Sequence, residues 1–206
     1  MTKTQGNDGR SRRLTPDTVV RAALDLLDEK GLEAVSSRAV ADRLGVRMNT
    51  VLWHVKTKGR LLELMADAVM GEIPLDGLPG PWDERARDLT RRYRRALLAH
   101  RDGAALVIGT YPAEPHTLRF AETLVGTLLE SGMDGREAAW NAWTIIYFTL
   151  GLTQEEQAPP HDLDGRLARA VTPASHPALH RVLEHLGGSF DERFEFGLSA
   201  ILRTSG

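Results

Sequence analysis

The 206-residue chain has no cysteine. That excludes a disulfide framework, a thiolate zinc site and a cysteine nucleophile, and it suits a reducing compartment. Long hydrophobic runs are also missing. No stretch nears the roughly 18–20 apolar residues that a spanning helix needs. The opening MTKTQGNDGRSRRLTPD lacks the apolar core of a secretory signal. These absences predict a soluble, cytoplasmic protein with no membrane partner. Catalytic signatures are lacking too: there is no His-Glu-x-x-His zinc helix, no phosphate-cradling glycine loop and no Gly-x-Ser-x-Gly elbow. His176 and His180 lie four apart, with His185 nearby, but Pro177 and the lack of a fourth ligand weaken a metal site there. The expectation is no catalytic residue, no metal and no cofactor, which leaves a metal-dependent enzyme as the weakest reading.

What is present is a chain with 42% hydrophobic and 26% charged residues, enough apolar material for a core and too little net charge for disorder. The net charge of −2 argues by itself against a nucleic-acid binder, but its distribution argues the other way. Residues 1–60 carry 12 Lys/Arg against 7 Asp/Glu, and the remainder carries 14 against 21. A basic head on an acidic body draws phosphate to one end and keeps the rest away from it.

Order is expected from Thr15-Pro16-Asp17, where a capping hydroxyl, a first-turn proline and an acid stand together. Residues 1–14, with Lys3, Arg10, Arg12 and Arg13, read as a disordered basic arm. Val20, Leu24 and Leu27 repeat at helical spacing before Gly31. A short helix should start at Ser36-Ser37 and stop at Gly45, a third should cover about 48–54, and a fourth should begin near Thr57. The Pro/Gly-rich EIPLDGLPGP, residues 72–81, marks the boundary between a head over 15–71 and a body over 72–206. The body reads as helix throughout. Trp82, Ala86, Leu89, Tyr93, Leu97 and His100 share a stripe, and breaks fall near 100–103 and 109–112. Helices follow over about 114–131, 135–157, 176–186 and 189–203, with a weak helix at best over 158–175. The fold class is therefore all-α.

Residues 36–64, SSRAVADRLGVRMNTVLWHVKTKGRLLEL, carry the functional signal. A helix-turn-helix needs a small residue where its helices cross, a glycine able to take positive φ in the turn, and an apolar anchor just beyond. Ala41, Gly45 and Val46 supply these in order, and Val40, Leu44 and Val51 can pack between the helices. Arg47, Met48, Asn49, Thr50, Trp53 and His54 then face outward from the second helix, a mixture suited to reading base edges. Arg38 can offer a bidentate fork to guanine, Asn49 can read adenine and Met48 can press on a thymine methyl. Ser37 and Thr50 are short donors for phosphate, and Lys56 and Lys58 lie where a helix start also favours it. Trp53 and His54 stand either near the DNA backbone or, for the tryptophan, in the packing of the head.

LGVRMNTVLWHVKTKGRLL resembles the tetracycline-repressor family: a glycine turn, a recognition helix, an aromatic-His pair and a lysine opening the next helix. ALLAHRDGA, IGTYP, YFTLG and FEFGLSAIL extend that resemblance across roughly 14–203. It implies a ligand-responsive repressor with a three-helix head and a bundle body. It also implies a homodimer on double-stranded operator DNA, since one recognition helix makes too few base contacts and two half-sites must be read. The helices matching the family's dimer interface are 135–157 and 189–203, the second carrying Phe190, Phe194, Gly197, Leu198 and Ile201; these residues could equally cover the body's own core, and the sequence does not separate the two.

For a small-molecule effector, the expected lining is Leu89, Tyr93, His100, Val107, Thr110, Tyr111, Trp140, Trp143, Tyr147 and Glu155, with Phe148 nearby. Aromatic residues at helical spacing usually form core, so it is the resemblance that makes these a pocket. Where drug-binding members of the family place a metal-ligand histidine this chain has Val107. Where they place an arginine, a polar amide and a second histidine it has Tyr111, Leu89 and Pro74. Thr110, Pro112 and Glu155 are retained. Valine cannot ligate a hard cation and one carboxylate makes a weak site, so a tetracycline–magnesium complex is not expected. A more apolar effector is. An architectural DNA-binding protein without a ligand is the other reading, and the acidic body disfavours it.

Overall fold

The computed structural model describes residues 14–110, 113–158 and 163–203, and among these it contains helices and turns but no strand. Tyr111, Pro112 and the basic arm over 1–13 lie outside the described residues. Helix α1 (Pro16–Lys30) starts as its sequence predicts: the Thr15 hydroxyl accepts from the Thr18 N–H at 3.2 Å, and Gly31 ends it at φ 82°. Ser36 caps α2 (Ser37–Leu44), accepting from the Ala39 N–H at 3.1 Å. The turn into α3 (Met48–Val55) runs through Gly45 at φ 65°, ψ 30°, while the Val46 N–H returns to the Ala41 carbonyl at 3.0 Å. This left-handed closure satisfies helix-end carbonyls at no Cβ cost. Val40, Ala41, Val51 and Val55 are sealed inside the pair, and Leu44 is half-buried.

Helix α3 ends unusually. Lys56 sits at φ 63°, ψ −57°, and the Thr57 N–H donates across it to the Val55 carbonyl at 2.7 Å. This is a γ-turn with positive φ, strained for a residue bearing a Cβ. It turns the chain sharply so that Thr57 can cap α4 (Lys58–Gly71) through the Arg60 N–H. Leu61, Met65, Ala66, Val69 and Met70 are all buried, with Asp67 beside them. A helix covered on several sides must serve more than one core, and α4 packs against α1, α3 and the body helices that follow.

The body comprises α5 (Trp82–Leu98), α6 (Gly103–Val107), α7 (Pro115–Leu129), α8 (Gly135–Gln157), α9 (Leu163–Ala170), α10 (Pro177–Val182) and α11 (Phe190–Arg203). The Asp134–Glu137 capping box opens α8 as its spacing suggests. Helix α6 is absent from the sequence reading because five residues are too few to show a period. Helix α10 is shorter than expected and gives way to a 3-10 turn over Leu183–His185. Helix α8 lies centrally, against α5, α6, α7 and α11. Arg94 on α5 pins this bundle: its guanidinium reaches Glu156 on α8 at 2.7 Å and Asp191 on α11 at 2.6 Å, and covers the Phe194 ring at 4.8 Å.

Phe194 and Leu198, which the sequence left open between a subunit interface and the body's own core, are buried within the subunit, Phe194 stacked on Phe148. The apolar stripe is real, but periodicity cannot say which neighbour covers it. Among the described residues, no helix is long and apolar enough to cross a membrane.

Two substitutions probe these turns. Lys56→Gly relieves the γ-turn and should raise stability by about 1 kcal/mol, read as a higher urea midpoint; an unchanged or lower midpoint contradicts the strain. At Gly103 an added Cβ would collide with the Leu97 carbonyl oxygen. Gly103→Ala should therefore cost about 1–3 kcal/mol, whereas Gly80→Ala, in open space, should change stability far less in the same assay.

Candidate DNA-binding surface and ligand cavity

Helices α2 and α3 present Arg38, Arg47, Met48, Asn49, Thr50 and Trp53 to solvent, with Ser37 and His54 half-buried beside them and Lys56 and Lys58 exposed beyond. Trp53 is 71% exposed and meets the His54 ring edge-on at 4.7 Å. It therefore does not pack the head. The Lys56 ammonium stands 5.9 Å from the Trp53 ring. Ser36 is used as a cap, so its neighbour Ser37, at the first position of α2, is the hydroxyl left to face outward.

Not every cation of this region is available. Arg43 grips Glu29 at 2.7 Å and Asp25 at 3.5 Å, and its hydrogen bond holds the Glu29 carboxyl below the usual range. Arg60 reaches Glu114 at 2.6 Å and Glu63 at 3.0 Å, and these carboxylates raise its guanidinium above the usual arginine range. Arg38, Arg47, Lys56 and Lys58 have no ion-pair partner among the described residues. Four uncompensated cations around an exposed recognition helix form a surface for polyanionic duplex DNA.

A cavity of about 580 Å³ opens within the body between α4, the segment at 107–110, α7 and α8. It is lined by apolar side chains with few polar groups, in the size range of small-molecule sites. Tyr93, Val107, Thr110, Trp143 and Tyr147 are on its wall as expected. Tyr93 meets Phe120 at 5.2 Å, and Trp143 stacks on Tyr147 at 5.3 Å with 21° between the rings. Among the described residues that line it, none is charged. A depression of equal volume between α9 and α10, touching His180, is more open to solvent. Among the described residues no group of His, Asp or Glu is arranged to hold a metal ion.

Four expected lining residues lie elsewhere. Leu89 is buried in the core away from the cavity wall. Trp140 is exposed, with the Arg136 guanidinium 4.1 Å above its ring, because it points to the outer side of α8. Glu155, near the end of α8, is exposed. His100 is the larger correction. Its Nδ1 is 3.1 Å from Asp28 on α1 and its Nε2 is 3.1 Å from Glu72 just after α4, so it joins head to body. Continuation of the α5 stripe could not reveal that α5 ends before this residue and turns it toward α1.

Ala66, Met70, Ile108, Thr117 and Phe120 line the cavity without having been anticipated. For the α4 pair the only signal was a helix apolar on more than one side. Asp67, one residue from Ala66, accepts from the Thr117 N–H at 2.7 Å and from its hydroxyl at 2.8 Å. A cavity helix and the helix that supports α3 are thus tied by a buried carboxylate at the start of α7, where the helix dipole favours it.

Comparison with known proteins agrees with this arrangement. Residues 19–65 match the family model described as bacterial regulatory proteins, tetR family, and residues 74–204 match the tetracyclin repressor-like C-terminal domain. The tetracycline repressor protein class A from transposon 1721 of Escherichia coli is 36% identical over 198 residues, 92% of this chain and 89% of that protein. Streptomyces coelicolor ActR, in a crystal structure with actinorhodin, superposes at TM-score 0.84 with 28% identity, covering 94% of this chain and 96% of ActR. BioQ, solved with its double-stranded DNA operator, gives 0.71 at 25% identity over 94% of this chain and 98% of its own. With both halves matched and this identity over nearly the whole chain, the protein belongs to the tetR family of ligand-responsive, DNA-binding transcriptional regulators.

Proposed function

We propose that the protein is a homodimeric cytoplasmic repressor that holds a palindromic operator through residues 15–71 and releases it when an uncharged, largely apolar molecule enters the 72–206 body. The observation that carries this reading is that α4 belongs to both sites: it packs on α1 and α3, and its Ala66 and Met70 line the cavity. A ligand that prefers one placement of α4 lowers operator affinity by its difference in affinity for the two placements. Side-chain chemistry assigns Arg38, Asn49 and Met48 to base edges and Ser37, Thr50, Lys56 and Lys58 to phosphate, with Arg47 on the same outward face; the family resemblance places Trp53 and His54 near the backbone. A body cavity of this size favours the regulator over an architectural DNA-binding protein.

The effector site comprises Tyr93, Val107, Thr110, Trp143 and Tyr147, with Ile108 and Phe120. Among the described residues its lining carries no charged or metal-binding group, which supports an effector other than tetracycline–magnesium, although relatives carry that drug in their names. Pairing of two subunits through α8 and α11 is supported by large aromatic side chains left in solvent: Trp140, Trp143 and Tyr147 on α8, and Phe196, 73% exposed, on α11.

Arg38→Ala should abolish sequence-selective retention on the inverted repeat protected by the wild type, at fixed salt, with dimer mass and circular dichroism unchanged. Retention at wild-type affinity would remove Arg38 from base reading. Calorimetry should show no magnesium-dependent tetracycline binding in the micromolar range; a saturable, magnesium-requiring isotherm contradicts the effector class.

A further inference from the structure

Three helix C-termini converge on one imidazole. His100 follows the end of α5 by two residues. Its Nδ1 lies 3.1 Å from both carboxylate oxygens of Asp28, in the last turn of α1, and its Nε2 lies 3.1 Å from Glu72, the residue that closes α4. Helix C-termini carry partial negative charge, and Asp28 and Glu72 add to it, so the place calls for a cation. The residue is 9% exposed. A neutral imidazole has one N–H and one lone pair; it satisfies one of these carboxylates and turns a lone pair toward the other. Only the imidazolium donates to both. Other charges at the junction are engaged elsewhere or leave the ring untouched. On α1, the Glu29 carboxylate holds Arg43, and Lys30 is exposed. The Arg101 N–H shares Asp28 at 3.2 Å while its guanidinium donates to the Glu29 carbonyl at 3.3 Å, and Asp102 accepts from the Leu32 N–H at 2.8 Å. From α8, uncharged Gln157 donates to the His100 carbonyl at 2.7 Å and does not meet the ring. Among the described residues no other cation pairs with Glu72.

We propose that His100 is a positioning residue for operator binding and works as a proton-operated latch between head and body. It touches no DNA; it acts through α1, which packs on α2 and α3. As the imidazolium it ties α1 to the end of α4 and fixes the placement of the recognition helix. As the neutral ring it keeps one of the two bonds, the second carboxylate faces a lone pair, and the head is released from that placement. A released head must be ordered again when two half-sites are engaged together, and that ordering subtracts from affinity. The sign follows: the latch is closed at low pH and opens as pH rises. Imidazole is the side chain that changes charge between about pH 5 and 8, so the operator affinity of this protein is set in part by the proton concentration, without any occupant of the body. This rests on the operator-binding reading above and is independent of the effector.

The test uses Glu72→Gln on the full-length protein. The new amide can accept from a protonated Nε2 and can donate to an unprotonated one, so both contacts of the ring survive its loss of charge. Affinity for a duplex carrying the inverted repeat that the wild type protects is read by fluorescence anisotropy at pH 6 and pH 8, at fixed salt. From pH 6 to pH 8 the wild type should lose about fivefold more affinity than Glu72→Gln. His54, on the DNA face, titrates in both proteins, and its share cancels in that comparison. His100→Gln, which has no proton to lose, should show the same flattened profile at the weaker affinity of the open latch. The unfolding temperature of Glu72→Gln relative to wild type should rise between pH 6 and pH 8, because only the wild type loses a contact. Equal losses of affinity in wild type and Glu72→Gln, a steeper profile in either variant, or an unfolding-temperature difference that does not change with pH each overturns the latch while operator binding stands. If the wild type shows no sequence-selective binding even at pH 6, the operator reading fails, and the role of His100 in it falls too.

Discussion

Helix α4 must be buried against two groups of helices at once, and the rest of the molecule is arranged around that requirement. Its sequence, KGRLLELMADAVMG, has too many apolar positions for one stripe. One side supports α1 and α3; another closes the cavity with Ala66 and Met70. Because packed interiors resist continuous deformation, α4 cannot shift at the cavity without altering how α3 is held. Polar contacts reinforce the tie. Asp67 holds the start of α7, Arg60 reaches Glu114, and His100 stands between Asp28 and Glu72. The exposed ion pairs contribute little each. Asp67 is different, being buried and fully engaged, so its removal would leave the Thr117 N–H without its acceptor.

Charge is allocated with the same economy. On the first four helices, carboxylates of α1 and the start of α7 occupy Arg43 and Arg60, leaving the four cations that surround the recognition helix free. In the body, arginines of α5 are consumed internally: Arg91 by Glu195, Arg92 by Asp88, and Arg94 by Glu156 and Asp191. The body thus keeps its acidic excess off the DNA while holding α5, α8 and α11 together. Among the described residues the cavity lining takes no part in these ion pairs and carries no charge.

Much of this was legible in the residues. Helix starts at Thr15, Ser36, Thr57 and Asp134 follow from side chains that must satisfy free N–H groups within three residues, a local demand that sequence states directly. Gly45 and Ala41 announced the helix pair for the same reason. The cavity was legible only in part. Tyr93, Val107, Thr110, Trp143 and Tyr147 were placed through resemblance to a family of similar body helices. Trp140 and His100 were not placed correctly, although Trp140 belongs to the same helix as Trp143, because a helical stripe gives an angle and not the neighbour it meets.

The sequence by itself determined the all-α class, the order of the first four helices with the caps of α1, α2 and α4, and the chemistry of the outward face of α3, since each depends on contacts within a few residues. Tertiary structure alone decided that Phe194 and Leu198 belong to the subunit core, that His100 joins head to body, and that Ala66, Met70 and Thr117 share a cavity with Tyr93. These depend on which helices come to lie side by side, and the energy that selects them is spread over many long-range contacts, none of which is written in any one segment.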